Sequence, residues 1–150
     1  MEFTAPLSTI MTRKLITVMP GDKLSYVKEI FDTTRIHHIP VVKYKTLVGL
    51  ISRDDLGQFV RGAERNMDVD PRGRNPFEYY TAEDVMTTGL ATLESTDRIN
   101  VAIEVFAENI FRAIPIVDDG ELVGMVTTLD VIKSLQAEDT KRIISNQSAN

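Results

Sequence analysis

Two stretches of this sequence combine residue types that could do chemistry. One is Gly49-Leu50-Ile51-Ser52-Arg53-Asp54-Asp55, the other Gly124-Met125-Val126-Thr127-Thr128-Leu129-Asp130. Both read glycine, two apolar residues, a hydroxyl, two variable positions and an aspartate. A glycine within a strand lets another group approach the backbone closely. A hydroxyl at a strand-to-helix junction caps the helix, whose first N–H groups and dipole favour an anion such as phosphate. An aspartate one turn in accepts two hydrogen bonds, which suits the paired hydroxyls of a ribose. The same Ser/Thr-x-x-Asp spacing also describes a capping box, a purely local helix-start device. The box prefers Glu or Gln at its third position, and Asp reaches back less well. Spacing alone does not choose between the two readings.

Other candidates are weaker. His37-His38 precedes an apolar run, where neighbouring side chains point to opposite faces, which argues against a shared metal. Asp68-x-Asp70 is read as solvated loop charge rather than a cation site. Arg61, Arg65, Arg72 and Arg74 alternate with Glu64, Asp68 and Asp70, the pattern of a mixed-charge loop. With no cysteine among 150 residues, disulfides, thiolate nucleophiles and Cys-ligated zinc are excluded. No nucleophile–base set, phosphate loop or metal-protease motif is present, so no catalytic residue and no metal site is expected. Net charge is −5, from 17 basic and 22 acidic residues, which opposes a nucleic-acid groove or an anionic membrane face. The apolar runs fall far short of the ~20 residues of a membrane helix, and the first residues lack the features of a signal peptide. A cytoplasmic location is the expectation.

The elements that position these residues occur twice. At an offset of 75, 14 of the 46 pairs from Met11 to Leu56 are identical. Met11-Thr12 returns as Met86-Thr87, Ile39-Pro40-Val41-Val42 as Ile114-Pro115-Ile116-Val117, and Leu47-Val48-Gly49 as Leu122-Val123-Gly124. Each copy opens with a short apolar stretch read as a strand (Leu15–Val18; Leu90–Leu93). A helix follows, with Asp22 or Asp97 expected as a cap near its start. Leu24, Val27, Ile30 and Phe31 fall at helical spacing, as do Ile99, Ala102, Ile103 and Phe106. Two β-rich runs and a second helix complete a β-α-β-β-α unit. Asp118-Asp119-Gly120 is a clear hairpin signal, whereas Lys43-Tyr44-Lys45-Thr46 is a weak one. The fold class is α/β (α+β), two such repeats packed about a pseudo-twofold axis as one joint body. The boundaries are 7–61 for the first repeat, 62–81 for a linker loop and 82–137 for the second repeat. Residues 138–150 are a helix end and polar tail, frayed from Ser145.

The ordered set of motifs, occurring twice over about residues 7–136, resembles a CBS-domain pair, the Bateman module. The resemblance implies a regulatory, non-enzymatic module that binds adenosine-containing ligands in two clefts between the repeats. Those ligands include AMP, ADP, ATP and S-adenosylmethionine. No cofactor beyond such a regulatory ligand is implied. By the same resemblance Asp55 and Asp130 hold ribose hydroxyls, and Ser52 and Thr127 lie near phosphates. Thr17 and Thr92, with the backbone around Ile16 and Ala91, flank the ligand. Ile39, Val41, Ile114 and Ile116 lie where members enclose the base. His37 and His38, and Arg112 in the second repeat, occupy phosphate-facing positions, while Ala113 departs from the pattern. The long 57–84 connection is another departure. The expected partners are the small molecule, a second copy in a homodimer and an effector protein, with neither nucleic acid nor membrane. The alternative is a ligand-free dimerisation and docking module, in which both Ser/Thr-x-x-Asp pairs serve only as caps.

Overall fold

The computed structural model describes residues 3–65, 72–73 and 75–149. After a 3-10 turn (Leu7–Thr9) come α1 (Leu24–Thr33), β1 (His38–Lys43), β2 (Thr46–Ser52) and α2 (Arg53–Arg65). The short helices α3 (Pro76–Tyr79) and α4 (Ala82–Val85) follow. The second repeat supplies α5 (Ile99–Ala107), β3 (Ala113–Asp118), β4 (Glu121–Thr127) and α6 (Thr128–Ser148). β1 pairs antiparallel with β2, and β3–β4 forms a second two-stranded sheet. The class is mixed α/β. No described helix is long and apolar enough to cross a membrane.

The expected opening strands do not form. Leu15–Val18 and Leu90–Leu93 shrink to single parallel bridges, Val18 to Val41 and Leu93 to Ile116. Val18 donates to the Pro40 carbonyl at 3.1 Å and accepts from Val42 N–H at 2.8 Å, and Leu93 repeats this with Pro115 and Val117. The next rung of a parallel ladder would run from the N–H of residue 40 to the carbonyl of residue 16, and from 115 to 91. Proline has no N–H, so both ladders stop there.

Three further expectations are corrected. Asp22 and Asp97 do not cap α1 and α5. Their carboxylates accept instead from Met19 N–H and Glu94 N–H, both at 2.8 Å, and close a turn before each helix. Lys23 and Arg98 sit at the N-cap without a side-chain cap. Backbone carbonyls do the capping: Tyr80 accepts from Leu24 N–H, Ala5 from Ile99 N–H and Phe3 from Asn100 N–H. The linker is not all loop, because α2 continues to Arg65 and α3 begins at Pro76. Asp68, Asp70 and Arg74 lie outside the described residues. The tail from Ser145 is helical through Ser148.

The chain divides into two compact units, and the division crosses the repeat boundary. One unit holds Leu15–Leu90 with Gly120–Leu122; the other holds Met1–Lys14, Ala91–Asp119 and Val123–Asn150. In the former, Leu24, Val27, Phe31, Ile39, Val41 and Ile51 form a core that includes Ala82 from the start of the second repeat. In the latter, Ile99, Ile114, Ile116 and Val126 form a core that includes Leu7 and Met11 from the start of the first. Each repeat thus lends its opening segment to the unit built on the other repeat's strands. Thr87 bridges Leu50, and Thr12 bridges Met125. In the second unit Asp118 also accepts from Ser95 N–H at 2.9 Å. Its hydrogen bonds with Ser95, helped by the nearby Arg13 charge, hold its carboxyl below the ordinary range.

Candidate functional site

The exchange of openings explains one part of the motif. A Cβ at Gly49 would lie 2.5 Å from Met86 Sδ and 2.9 Å from its Cβ. A Cβ at Gly124 would lie 2.8 Å from Met11 Sδ and 3.0 Å from the Thr12 carbonyl. The group that approaches each glycine is therefore the methionine of the exchanged Met-Thr opening. The expected close approach is real, and it belongs to the core rather than to a ligand.

The hydroxyl and aspartate form a capping box in both repeats. Asp55 accepts from Ser52 N–H at 3.2 Å, and Ser52 Oγ accepts from Asp55 N–H at 3.0 Å. Asp130 accepts from Thr127 N–H at 2.8 Å and from its hydroxyl at 2.9 Å, while Thr127 Oγ1 accepts from Asp130 N–H at 3.3 Å. The shorter aspartate closes the box, against the expectation that it reaches back less well. A third Thr-x-x-Asp, Thr81 to Asp84, makes half of it at the start of α4: Asp84 Oδ2 accepts from Thr81 N–H at 2.8 Å and from its hydroxyl at 3.1 Å, while Asp84 N–H donates to the Thr81 carbonyl. Both Asp55 and Asp130 use Oδ2, and among the described residues neither Oδ1 takes a hydrogen bond. All four side chains are half-buried, so these oxygens reach solvent.

The helix starts are poorer anion sites than their sequence implies. Arg53 N–H donates to the His37 carbonyl at 3.0 Å, and Thr128 N–H to the Arg112 carbonyl at 3.3 Å. With Asp55 and Asp130 N–H held in the boxes, one donor remains among the first three of each helix. A carboxylate at the third position also repels an incoming phosphate.

The enclosing positions are corrected. Ile39, Val41, Ile114 and Ile116 are each 0% exposed and belong to the two cores. Branched apolar side chains there gain more from core burial than from a solvated cleft. Their side chains present no surface to a ligand.

Register gathers the remaining candidates at one end of each sheet. His38 pairs with Ser52 across β1–β2. The Val18–Val41 bridge, continued two residues back, sets Ile16 beside Ile39. Ile16, half-buried Thr17, His37-His38 and the start of α2 thus share an end. In the second repeat the same register brings Ala91, exposed Thr92, Arg112 and the start of α6 together. Pro40 and Pro115 have no N–H to give the carbonyls of Ile16 and Ala91, and among the described residues neither those carbonyls nor the N–H groups of Ile16 and Ala91 take a backbone partner. His37 and Arg112 are exposed, His38 is half-buried, and Ala113 lies in the sheet at 3% exposure.

Arg53 is a residue that motif reading passed over. Its guanidinium donates to the Ile36 and Thr34 carbonyls, both at 2.7 Å, and sits 5.0 Å from the Phe31 ring centroid. It ties the segment leading to His37-His38 onto α2. Its counterpart is Thr128, so the repeat comparison carried no signal for it. Among the described residues no cluster of three or more His, Asp or Glu side chains is placed to hold a metal ion.

Comparison with known proteins decides the family. The family model described as CBS domain matches residues 7–61 and 82–137. The chain belongs to the CBS-domain family. It is 29% identical over 135 residues to inosine-5'-monophosphate dehydrogenase of Thermoplasma acidophilum, a match covering 89% of this chain and 24% of that enzyme. Across the first curated relatives the chain spans 24%, 44% and 39% of their length. Among solved structures, CBSX2 in complex with AMP superposes with a TM-score of 0.73 at 24% identity, covering 89% of this chain and 98% of that one. The CBS domain pair of protein MJ0100, in complex with 5′-methylthioadenosine and S-adenosylmethionine, has a TM-score of 0.70 at 21% identity. It covers 87% of this chain and 99% of that one. These likenesses establish the CBS-pair fold.

Proposed function

We propose that this CBS pair is a regulatory module that binds an adenosine-containing ligand and passes the occupied state to a partner protein, without catalysing a reaction itself. The observation that carries the reading is the interrupted ladder. In each repeat the proline offers no N–H to the carbonyl of Ile16 or Ala91, and among the described residues the N–H of the same residue also has no backbone partner, at the sheet end that also holds an aspartate whose Oδ1 takes no hydrogen bond there. Adenine offers a donor beside an acceptor along one edge, which such a backbone segment matches. A carboxylate oxygen matches a ribose hydroxyl. The phosphate half has less support, since it rests on His37, His38 and Arg112 and not on the helix starts. Ligands bound by CBSX2 and by the MJ0100 pair all share the adenosine part, in agreement with this emphasis.

Calorimetric titration of the full chain with AMP, ATP, S-adenosylmethionine and 5′-methylthioadenosine tests the reading. Saturable binding is expected for at least one, with phosphate-free ligands within about tenfold of AMP. Asp130→Ala should weaken that binding about 10- to 150-fold, the value of a charge-assisted hydrogen bond. The same change should cost no more than ~1 kcal/mol of stability as a lost cap partner. The capping boxes that Asp55 and Asp130 both close favour a second reading, a ligand-free docking module. Its signature is no binding heat and no shift in Tm with any of the four ligands, together with a lowered Tm in Asp130→Ala.

A further inference from the structure

The two segments around Ile16 and Ala91 are straps pinned at both ends. Thr12 exchanges two backbone hydrogen bonds with Met125, its N–H donating at 2.9 Å and its carbonyl accepting at 3.0 Å. Six residues later Val18 pairs with Val41 of β1. Ile16 and Thr17 hang between these anchors. In the other repeat Thr87 exchanges bonds of 2.8 and 3.0 Å with Leu50, and Leu93 pairs with Ile116 of β3. Ala91 and Thr92 hang between. Within each strap the chain passes from one compact unit into the other, between Lys14 and Leu15 and between Leu90 and Ala91. One anchor of each strap therefore rests on the opposite repeat's hairpin, Thr12 on β4 and Thr87 on β2.

A glycine sets each crossed anchor. A Cβ at Gly124 would press on the Thr12 carbonyl at 3.0 Å and on Met11 Sδ at 2.8 Å. A Cβ at Gly49 would press along Met86 from Sδ at 2.5 Å to Cβ at 2.9 Å, and Thr87 is the next residue. We propose that Gly124 and Gly49 are positioning residues for adenosine binding, each acting on the ligand segment of the other repeat; this rests on the adenosine reading of Ile16 and Ala91. A strap tied at both ends has already given up much of its conformational freedom, so a ligand that bonds to its backbone need not order it. Once Thr12 is pushed off Met125, the ligand must order residues 13–17 itself. The loss then falls on binding at the first repeat, although the substitution stands in the second. One motif thus serves two sites: its aspartate acts at its own repeat's end, and its glycine steadies the strap of the other.

Titration calorimetry of the full chain with 5′-methylthioadenosine tests this, in variants that keep one ligand end each. Asp130→Ala leaves the first repeat's end and Asp55→Ala the second's. Gly124→Ala added to Asp130→Ala should weaken binding about tenfold, and added to Asp55→Ala should change it less than about twofold. Gly49→Ala should act the other way round. Gly124→Ala, the milder substitution, carries the test by itself where Gly49→Ala does not fold. Gly120→Ala is the control for lost stability: it strains a turn of the second repeat at φ of 78°, and its Cβ meets nothing within 4 Å. It should leave both ends unchanged. Without ligand, amide hydrogen exchange over residues 13–17 should quicken in Gly124→Ala and not in Gly120→Ala. A wild-type chain that binds no 5′-methylthioadenosine, AMP, ATP or S-adenosylmethionine overturns the adenosine reading and the positioning role with it. Where ligand binds, a Gly124→Ala that weakens its own repeat's end, or both ends equally, overturns the crossed positioning alone. So does exchange over residues 13–17 that Gly120→Ala quickens as much.

Discussion

The two repeats hold the same joints with unequal parts. Each strand hairpin receives a methionine from the other repeat's opening, but the fit differs. Around Gly49 three atoms of Met86 lie inside 3.0 Å of where a Cβ would stand, including its backbone-proximal Cβ. Around Gly124 only Met11 Sδ does, with the Thr12 carbonyl at 3.0 Å. The start of α2 is tied down by the Arg53 guanidinium, whereas α6 begins with Thr128. The turns differ as well, Tyr44-Lys45 against Asp119-Gly120. Features present in both copies, such as the prolines, the glycines and the capping boxes, answer constraints common to both folds. Features present in one copy mark where that copy carries its own load.

The two glycine seats should differ most in what an added methyl group costs. Gly49→Ala should cost about 3 kcal/mol and Gly124→Ala about 1 kcal/mol, the range for overpacking a filled core. Met86→Ala should recover part of the first loss, since it removes Sδ and Cγ but leaves Cβ in place. Urea unfolding of the single and double variants measures all three. A Gly124→Ala loss equal to that of Gly49→Ala would mean that the two seats are equivalent.

The repeat makes most elements readable, because α1, α2 and the first hairpin share their apolar patterns with α5, α6 and the second, whereas the short helices α3 and α4 have no such echo in the sequence. The exchange of openings was not readable. Met-Thr and Leu-Val-Gly recur together in both copies, yet no periodicity tells whether Met86 docks on its own repeat or on the other. The opening stretches mislead because an apolar run such as Leu15–Val18 looks like a strand, while a proline more than twenty residues away lacks the N–H that its next rung needs. Ile39, Val41, Ile114 and Ile116 were placed at a ligand because the resemblance names positions on the chain and does not say which way a side chain turns. Asp22 and Asp97 illustrate the remaining ambiguity. A carboxylate just before a helix closes a turn as readily as it caps the helix.

Arg53 is a tie that the first repeat has and the second does without. Arg53→Thr gives the first repeat the residue of the second. Two charge-assisted hydrogen bonds from a half-buried guanidinium are lost, which should cost about 1–2 kcal/mol. The Thr34 and Ile36 carbonyls then turn to water, so hydrogen exchange should quicken across residues 34–38 and not across 109–113. An unchanged exchange pattern would show that the backbone bond from residue 53 to His37 suffices, as its counterpart from Thr128 to Arg112 does.

The smallest expected effect comes from the turns. Tyr44 and Lys45 sit at φ of 50° and 66°, and Asp119 and Gly120 at 50° and 78°. Two residues at positive φ between antiparallel strands are the mark of a type I′ turn, whose twist matches that of the strands it joins. Glycine enters this region freely, and aspartate at modest cost. A tyrosine and a lysine enter it only because the flanking pairs, from Val42–Leu47 and Lys43–Thr46 inward, hold the hairpin closed. The first hairpin is therefore under backbone strain that the second avoids. Replacing Tyr44-Lys45 with Asn-Gly should relieve it and stabilise the protein by about 1 kcal/mol. Tyr44 is 91% exposed, so little packing is lost in exchange. Gly120→Ala is the mirror experiment: it should destabilise the second hairpin by about 1 kcal/mol, because φ of 78° is closed to a Cβ without strain. Both changes are read as shifts in Tm. If Asn-Gly leaves the Tm unchanged while Gly120→Ala lowers it, the strain at Tyr44-Lys45 is already released by local bending. The two turns would then differ in sequence but not in energy.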